Sequence, residues 1–374
     1  MNKNKSIYIF YYEWWKNIDK FLFSLIILLF ITGLFFSLVS TSLLVSDKLD
    51  TNDYAFFFKH LSFVFLGVMI IFILSSINEN KLLKISPAIF LFSVIFLFLV
   101  PIIGLGVNSS KRWIDLYFLP RFQPIELVKP FLIILISLIL SSDKYKNIYI
   151  KYLISFFITL IIALFLAAQP DIGQTLLVFF TWSVLIFISG INITFLISSC
   201  LILLIALYFL VNLVPKFEYI KNRILSFFNT ETGTHNAQSE KAIESITSGG
   251  YFGKGIGEGT LKNRVPEAHT DYIISVISEE FGVIAIILIL LLFLIFIYSV
   301  FKKVYYENKE RTKLILVGCT SLILVQAMIH IGVNIRLFPT TGMTLPFISY
   351  GGSSIISISI LSGIILNLTK RKIH

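Results

Sequence analysis

Three stretches of this chain carry residues whose types and spacing suit chemistry. The first is Pro-Glu-Ala-His-Thr-Asp-Tyr-Ile at 266–273, which sets Glu267, His269 and Asp271 at alternate positions just ahead of a long apolar run. A carboxylate placed there can take a proton from a substrate hydroxyl or cap the helix that follows; the spacing supports both. The second is 106–130, GVNSSKRWIDLYFLPRFQPIELVKP, with Lys111, Arg112 and Arg121 followed by Gln123, Glu126 and Lys129. Guanidinium forks match phosphate oxygens, so the cluster suits an anionic lipid head group. The alternative is anchoring at the membrane surface, with Trp113 and Tyr117 as interfacial aromatics. Glu126 and Lys129, three apart, can pair on one helix face. The third is the turn Gln169-Pro170-Asp171-Ile172-Gly173. It puts Pro170 near the first helical position and Asp171 in the first turn, at the positive end of the helix dipole. A tight capped turn accounts for it without any chemistry.

Four other features belong with these. Gly253, Gly255, Gly257 and Gly259 alternate, which suits an irregular backbone or one pressed close to a neighbour; the stretch lacks the GxxxxGK[ST] pattern of a phosphate loop. Glu279 and Glu280 lie two turns inside the apolar run that follows Asp271, a costly depth unless they are paired or face a polar cavity. Gln326, His330 and Asn334 are spaced i, i+4 and i+8 and form a polar stripe, which interhelical hydrogen bonding also explains. The segment RLFPTTGMTLPFISYGGSS carries Pro346, Gly351, Gly352, Ser353 and Ser354, which break or kink the start of the last apolar run. Such breaks occur at membrane depth where the backbone is buried in protein or lines a cavity.

The elements that must hold these residues are transmembrane helices. The chain is 56% hydrophobic and 14% charged, whereas soluble domains carry roughly 25% charged residues. Ten apolar segments are long enough to cross about 30 Å of hydrocarbon: 21–45, 54–76, 82–104, 124–141, 150–168, 172–190, 192–214, 273–301, 313–335 and 345–368. The weakest is 124–141, with Glu126, Lys129 and Pro130 in its first turns. The run from Phe21 to Val45 is too long for a signal h-region and reads as a retained first span. With the N-terminus in the cytoplasm, short loops and helix mouths place 17 Lys and Arg inside and 6 outside. That bias fits ten spans with both termini inside. The fold class is therefore all-α, a single polytopic domain over 1–374 with a large extracytoplasmic loop at 215–272. Within that loop 238–250 reads as a short amphipathic helix lying at the membrane surface. The net charge of +10 is explained by this topogenic bias and does not call for nucleic acid. Cys200 and Cys319 lie inside apolar runs and suggest neither a disulfide framework nor a metal site.

The strings QPIELVK (123–129), QPDIG (169–173), Gln238-Ser239 with the SGG at 248–250, PEAHTDYI (266–273), Glu279-Glu280-Phe281-Gly282 and LPFISYGGSS (345–354) together resemble the SEDS family, in its order and at its spacing. The resemblance covers about 105–355 and favours the division-type branch over the elongation-type one. It implies a ten-helix fold with a cavity opening outward and into the lipid, and polymerisation of lipid II into glycan strands at the division septum of a bacterial cytoplasmic membrane. Asp271 matches the family's essential Asp. The residues expected around the substrate are Lys111, Arg112, Arg121, Gln123, Glu126, Lys129, Gln169, Asp171, Glu267, His269, Ser349, Gly351, Gly352 and Ser353. The first three are the cations expected at the pyrophosphate, with a divalent ion such as Mg2+ as a further candidate. A class B penicillin-binding protein (a transpeptidase) and other division proteins are the implied partners. The chain departs from the family at Thr341, where many members carry Lys in a PTKG turn, and at Arg336, a position often small or neutral; a transfer of positive charge from 341 to 336 is the expectation. Two other classes fit the spans: a transporter or lipid flippase, which predicts paired broken helices in symmetric halves, and a non-catalytic scaffold of the division machinery.

Overall fold

The computed structural model describes residues 3–41, 54–107, 110–115, 120–213, parts of 217–227, 234–259 and 268–370. Its helices are α1 (Lys3–Asn17), α2 (Lys20–Thr41), α3 (Ala55–Ser76), α4 (Glu79–Ile103), α5 (Pro124–Leu140), α6 (Ile148–Ala168), α7 (Ile172–Ile188), α8 (Ile193–Leu213), α9 (Thr234–Gly249), α10 (Ile273–Tyr306), α11 (Glu310–Asn334) and α12 (Gly352–Leu368). Among the described residues α2, α3, α4, α6, α10 and α11 are long and apolar enough to cross a membrane. The apolar helices α5, α7, α8 and α12 occupy the remaining expected spans. Hydrocarbon offers no partner for a backbone N–H or C=O, so apolar runs of this length close their hydrogen bonds internally as helices.

The bundle is built around α12 and α11, whose side chains are buried along most of their length. α12 lies closest to α3, where Gly67 meets the Ser359 side chain and Gly363 meets Leu74. Small residues allow this approach where packing, not the hydrophobic effect, drives association. Apolar side chains such as Phe65, Leu91, Leu164 and Leu288 on the outer helices are exposed, as a surface toward lipid must be.

Several local expectations are corrected. The chain is not purely helical: β1 (Leu105–Val107) pairs antiparallel with β2 (Ser110–Trp113), and Ile114 bridges Phe122. Pro170 is not the first helical residue of α7; Asp171 is its N-cap and accepts a hydrogen bond from the Gln174 amide at 3.3 Å. The last helix begins at Gly352 rather than 345. The amphipathic segment forms α9 as expected in type, but it packs on α10 and α11, with Ala242 buried against Tyr272 and Val333.

The largest departure is in α10. Thirty-four helical residues would run about 51 Å at 1.5 Å per residue, well beyond the hydrocarbon thickness. The stretch is interrupted at Gly282, whose φ of 77° lies in the left-handed region. The segment 249–255 fills the break. The Val283 amide donates to the Gly250 carbonyl at 3.0 Å, the Lys254 amide to the Glu279 carbonyl at 2.9 Å, and the Gly255 amide to the Glu280 carbonyl at 3.0 Å. Backbone groups freed by the break are thereby satisfied. A Cβ on Gly282 would stand 2.2 Å from the Tyr251 carbonyl oxygen. Of the alternating glycines, Gly253 is pressed against this backbone, its absent Cβ 2.1 Å from the Glu280 carbonyl oxygen, whereas Gly259 faces the Glu279 side chain.

Candidate functional site

One end of the bundle encloses a cavity of about 1750 Å³. Its walls come from the first turns of α3 (Lys59, Ser62, Phe63), the hairpin and the segment after it (Arg112, Trp113, Arg121), the start of α5 (Gln123, Glu126), and the 170–174 turn. Residues 270–272, 340–344, 350–352 and 354 line it as well. Asp271 lines this cavity. The sequence left Asp271 open between cap and base; the N-cap position of α10 is held by Tyr272, which makes no side-chain cap bond. The Asp271 peptide is fixed from α11, where Asn334 Nδ2 donates to its carbonyl at 3.0 Å. Gly342, with φ 70°, faces the carboxylate: its absent Cβ would stand 3.6 Å from Oδ2. His330 Nδ1 bonds the Met343 carbonyl at 2.7 Å, and Gln326 Nε2 donates to the Thr344 carbonyl at 3.1 Å. The polar stripe on α11 therefore holds the irregular 340–344 segment and Asp271 together.

Beside Asp271's cavity lies a buried network. Lys129 Nζ donates to Glu126 Oε1 at 2.9 Å and to Gln174 Oε1 at 3.0 Å, while Gln174 Nε2 donates to Glu126 Oε1 at 2.9 Å. Glu126 and Lys129 are both buried, and pairing with a shared amide offsets their desolvation. Gln123 Nε2 donates to Asp171 Oδ2 at 3.0 Å, and its backbone amide donates to Ser353 Oγ at 3.0 Å. This ties α5, α7 and α12 at their cavity ends.

The expected cations divide. Arg112 lines the cavity but is engaged: it donates to the carbonyls of Gln169 and Pro170 and lies 3.7 Å from Asp171 Oδ2. Its main work is to fasten the hairpin to the 169–171 turn. Arg121 lines the cavity, is exposed, and pairs with Asp115 at 3.1 Å. Lys111 is exposed, reaches the Pro101 carbonyl at 3.4 Å and does not line the cavity. The Gln169 side chain donates to the Leu97 carbonyl, away from the cavity. His269 packs its ring on Phe56 and Tyr350, with centroids 5.3 and 6.1 Å apart. Ser349 Oγ accepts from the Leu345 amide at 2.9 Å and closes a turn; Gly351 and Gly352 line the cavity. Glu267 lies outside the described residues. The charge expected to move from 341 to 336 does not reach the cavity: Thr341 lines it, whereas Arg336 pairs with Glu240 of α9 at 3.2 Å. Glu279 is buried and held by Lys254 at 3.1 Å and Ser245 at 3.0 Å, away from the cavity lining.

Sequence reasoning missed Gln174, Lys59 and Tyr350. Gln174 was signalled by a polar residue one turn inside an apolar run. Lys59 is one of the six Lys and Arg that the sequence places outside, and nothing local sets it apart from the others. Among the described residues no group of three or more His, Cys, Asp or Glu is placed to hold a metal.

Comparison with known proteins agrees with this geometry. The family model described as Cell cycle protein (FtsW/RodA/SpoVE) matches residues 19–374. A protein of Haemophilus influenzae is 33% identical over 94% of this chain and 90% of its own length. One of Wigglesworthia glossinidia brevipalpis is 34% identical over 96% and 93%. One of Caulobacter vibrioides is 30% identical over 96% and 91%. Each bears the name "Probable peptidoglycan glycosyltransferase FtsW". Among solved structures, a chain of a peptidoglycan synthase complex superposes with a TM-score of 0.76 at 23% identity, covering 94% of this chain and 97% of that one. The rod-shape-determining protein RodA of Thermus thermophilus gives 0.69 at 24% identity, covering 94% and 96%. The chain belongs to the FtsW/RodA/SpoVE family, also called SEDS, and is a multi-pass membrane glycosyltransferase of peptidoglycan synthesis.

Proposed function

We propose that the chain polymerises lipid II into glycan strands during septal wall synthesis, with Asp271 as the general base. The observation that carries this is a carboxylate at the wall of a large cavity whose other walls supply cations and hydrogen-bond donors. The 4-hydroxyl oxygen of the acceptor GlcNAc attacks C1 of the MurNAc that ends the growing strand. Asp271 takes the hydroxyl proton, the C1–O bond to the diphosphate breaks with inversion, and undecaprenyl diphosphate leaves with the electron pair. Positioned proton transfer of this kind contributes ~10²–10⁴-fold. The leaving diphosphate needs no acid, so a single carboxylate suffices, unlike the pair of a glycosidase. Charge developing on the diphosphate is balanced by cations at the cavity wall, with Arg121 and Arg112 nearest the outer hairpin. The described residues assemble no metal cluster; a Mg2+ ion that travels with the diphosphate would need one or two carboxylates at most.

Ten crossings with both termini in the cytoplasm are the topology that goes with this activity, supported by the 17-to-6 distribution of Lys and Arg and by the ten apolar helices. The loop 215–272 and the cavity then face outward, where lipid II presents its sugars, in a bacterial cytoplasmic membrane at the septum. A class B penicillin-binding protein is the proposed partner, and the likeness to a chain of a peptidoglycan synthase complex supports it.

The test is polymer formation from purified lipid II by the wild type and by Asp271→Asn, each with its cognate transpeptidase and with folding checked. Polymer from the wild type alone is expected. Polymer from both removes Asp271 as the base. Polymer from neither, with lipid II crossing vesicle membranes in both, gives the flippase reading instead.

A further inference from the structure

A polymerase of this kind must bring two lipid-linked diphosphates to one base, so two anionic groups enter one cavity, and like charges repel strongly where the surroundings are of low dielectric. Each needs its own cation. The cavity-lining cations stand on different elements, Arg112 on β2 with Arg121 after it and Lys59 on α3. On the hairpin side, Arg112 and Arg121 already hold Asp171 and Asp115. On α3 stands Lys59, exposed, whose contact among the described residues is the face of Phe56, 5.6 Å from its ring centroid. A cation–π contact leaves the ammonium donors open to oxygen acceptors. Around it the rings form a platform: Phe56 lies 5.9 Å from Tyr350, which itself lines the cavity. His60, next along α3, lies 5.8 Å from Tyr350 and is buried with neither ring nitrogen hydrogen-bonded. The platform is fastened to the base, because the Tyr350 amide donates to the carbonyl of His269, two residues before Asp271, at 3.2 Å. A cation beside aromatic faces suits a diphosphate joined to a sugar, whose oxygens take the charge and whose C–H face takes the rings.

Resting on the polymerase reading above, we propose that Lys59, with Phe56 and Tyr350, forms a second subsite that binds the diphosphate-linked sugar of one of the two lipid substrates, separate from the arginine side of the cavity. Lys59 binds and does not take part in bond making.

The test is equilibrium binding of lipid II to the full-length protein in nanodiscs carrying Asp271→Asn, so that bound lipid is not consumed. Two lipid II molecules per protein are expected. Adding Lys59→Ala or Lys59→Gln weakens one of the two by ~10-fold, the scale of a lost charged hydrogen bond, and Lys59→Arg restores it. Undecaprenyl diphosphate, the probe without sugar, competes at both sites and loses its hold on one in Lys59→Ala. A single lipid II per parent protein, or a Lys59→Ala variant with both sites unchanged or both equally weakened, overturns the proposal. Failure of the polymerase reading is read separately, in the polymerisation assay. If the wild type makes no polymer while Lys59→Ala still loosens one of two bound lipids, the subsite stands and the reaction does not. If polymer forms and Lys59→Ala binds both lipids as the parent does, the subsite alone falls.

Discussion

The two ends of the bundle solve the same problem in different ways. At the end away from the cavity the helices are regular and their termini are joined by contacts near the surface. Lys303 pairs with Asp19 at 2.6 Å and half-exposed Lys309 with Glu79 at 3.4 Å. At the cavity end the helices are broken or begin late, and two carboxylates are buried among their partners: Glu126 with Lys129 and Gln174, Glu279 with Lys254 and Ser245. Surface pairs join elements that are already complete. Buried networks replace the helical hydrogen bonds and packing that the cavity has displaced. The two ends should therefore respond very differently to loss of one partner.

The largest effect is expected for Lys129→Met, which leaves Glu126 buried without its cation and should cost roughly 3–5 kcal/mol, seen as a large drop in apparent melting temperature in detergent. Glu126→Gln combined with Lys129→Met should recover most of that loss, because no buried charge remains. A Lys129→Met variant as stable as the wild type would erase the contrast between the ends. Next is Gly282→Ala. It forces a Cβ into the left-handed region against the Tyr251 carbonyl and should cost about 1–3 kcal/mol in backbone strain, with faster proteolysis of the displaced 249–255 segment. The smallest is Lys303→Ala, within ~1 kcal/mol for a pair of this exposure and shrinking as salt rises. Burial tends to raise the Asp19 pKa, but the Lys303 ammonium and the amides of Leu22 and Phe21 outweigh it and hold the carboxyl below its ordinary value. Its contribution is therefore complete above the ordinary carboxylate range and fades as pH falls through the lowered pKa. Melting temperature against pH should show the wild type and Lys303→Ala converging at acid pH. A gap that persists at acid pH would assign the effect to packing.

Much of the fold was legible because hydrocarbon enforces it locally. Apolar runs such as 148–168 and 310–334 lie within a few residues of the segments expected from hydropathy. The motif residues were legible too: Asp271, Gln123, Glu126 and the Gly351-Gly352 pair all meet at one cavity. What the sequence hid were pairings. Arg112 has the type of a phosphate ligand, and only the hairpin's return to the 169–171 turn shows that its guanidinium is engaged by Asp171 and two carbonyls. Lys59 carries the same charge as the other outer lysines, and its place at the cavity wall follows from how α3 packs on α12.

The sequence by itself determined the membrane class and the number and order of apolar segments, with most of their ends to within a few residues. Each of these follows from a local transfer free energy or a local helix period. The tertiary structure decided that α10 breaks at Gly282 and is closed by 249–255, and that Asp271 faces a cavity while Tyr272 takes the cap. It also decided that cations from α3 and from the hairpin segment line the same cavity. Those outcomes depend on which distant backbone groups and side chains satisfy one another, and no local window of sequence holds both partners.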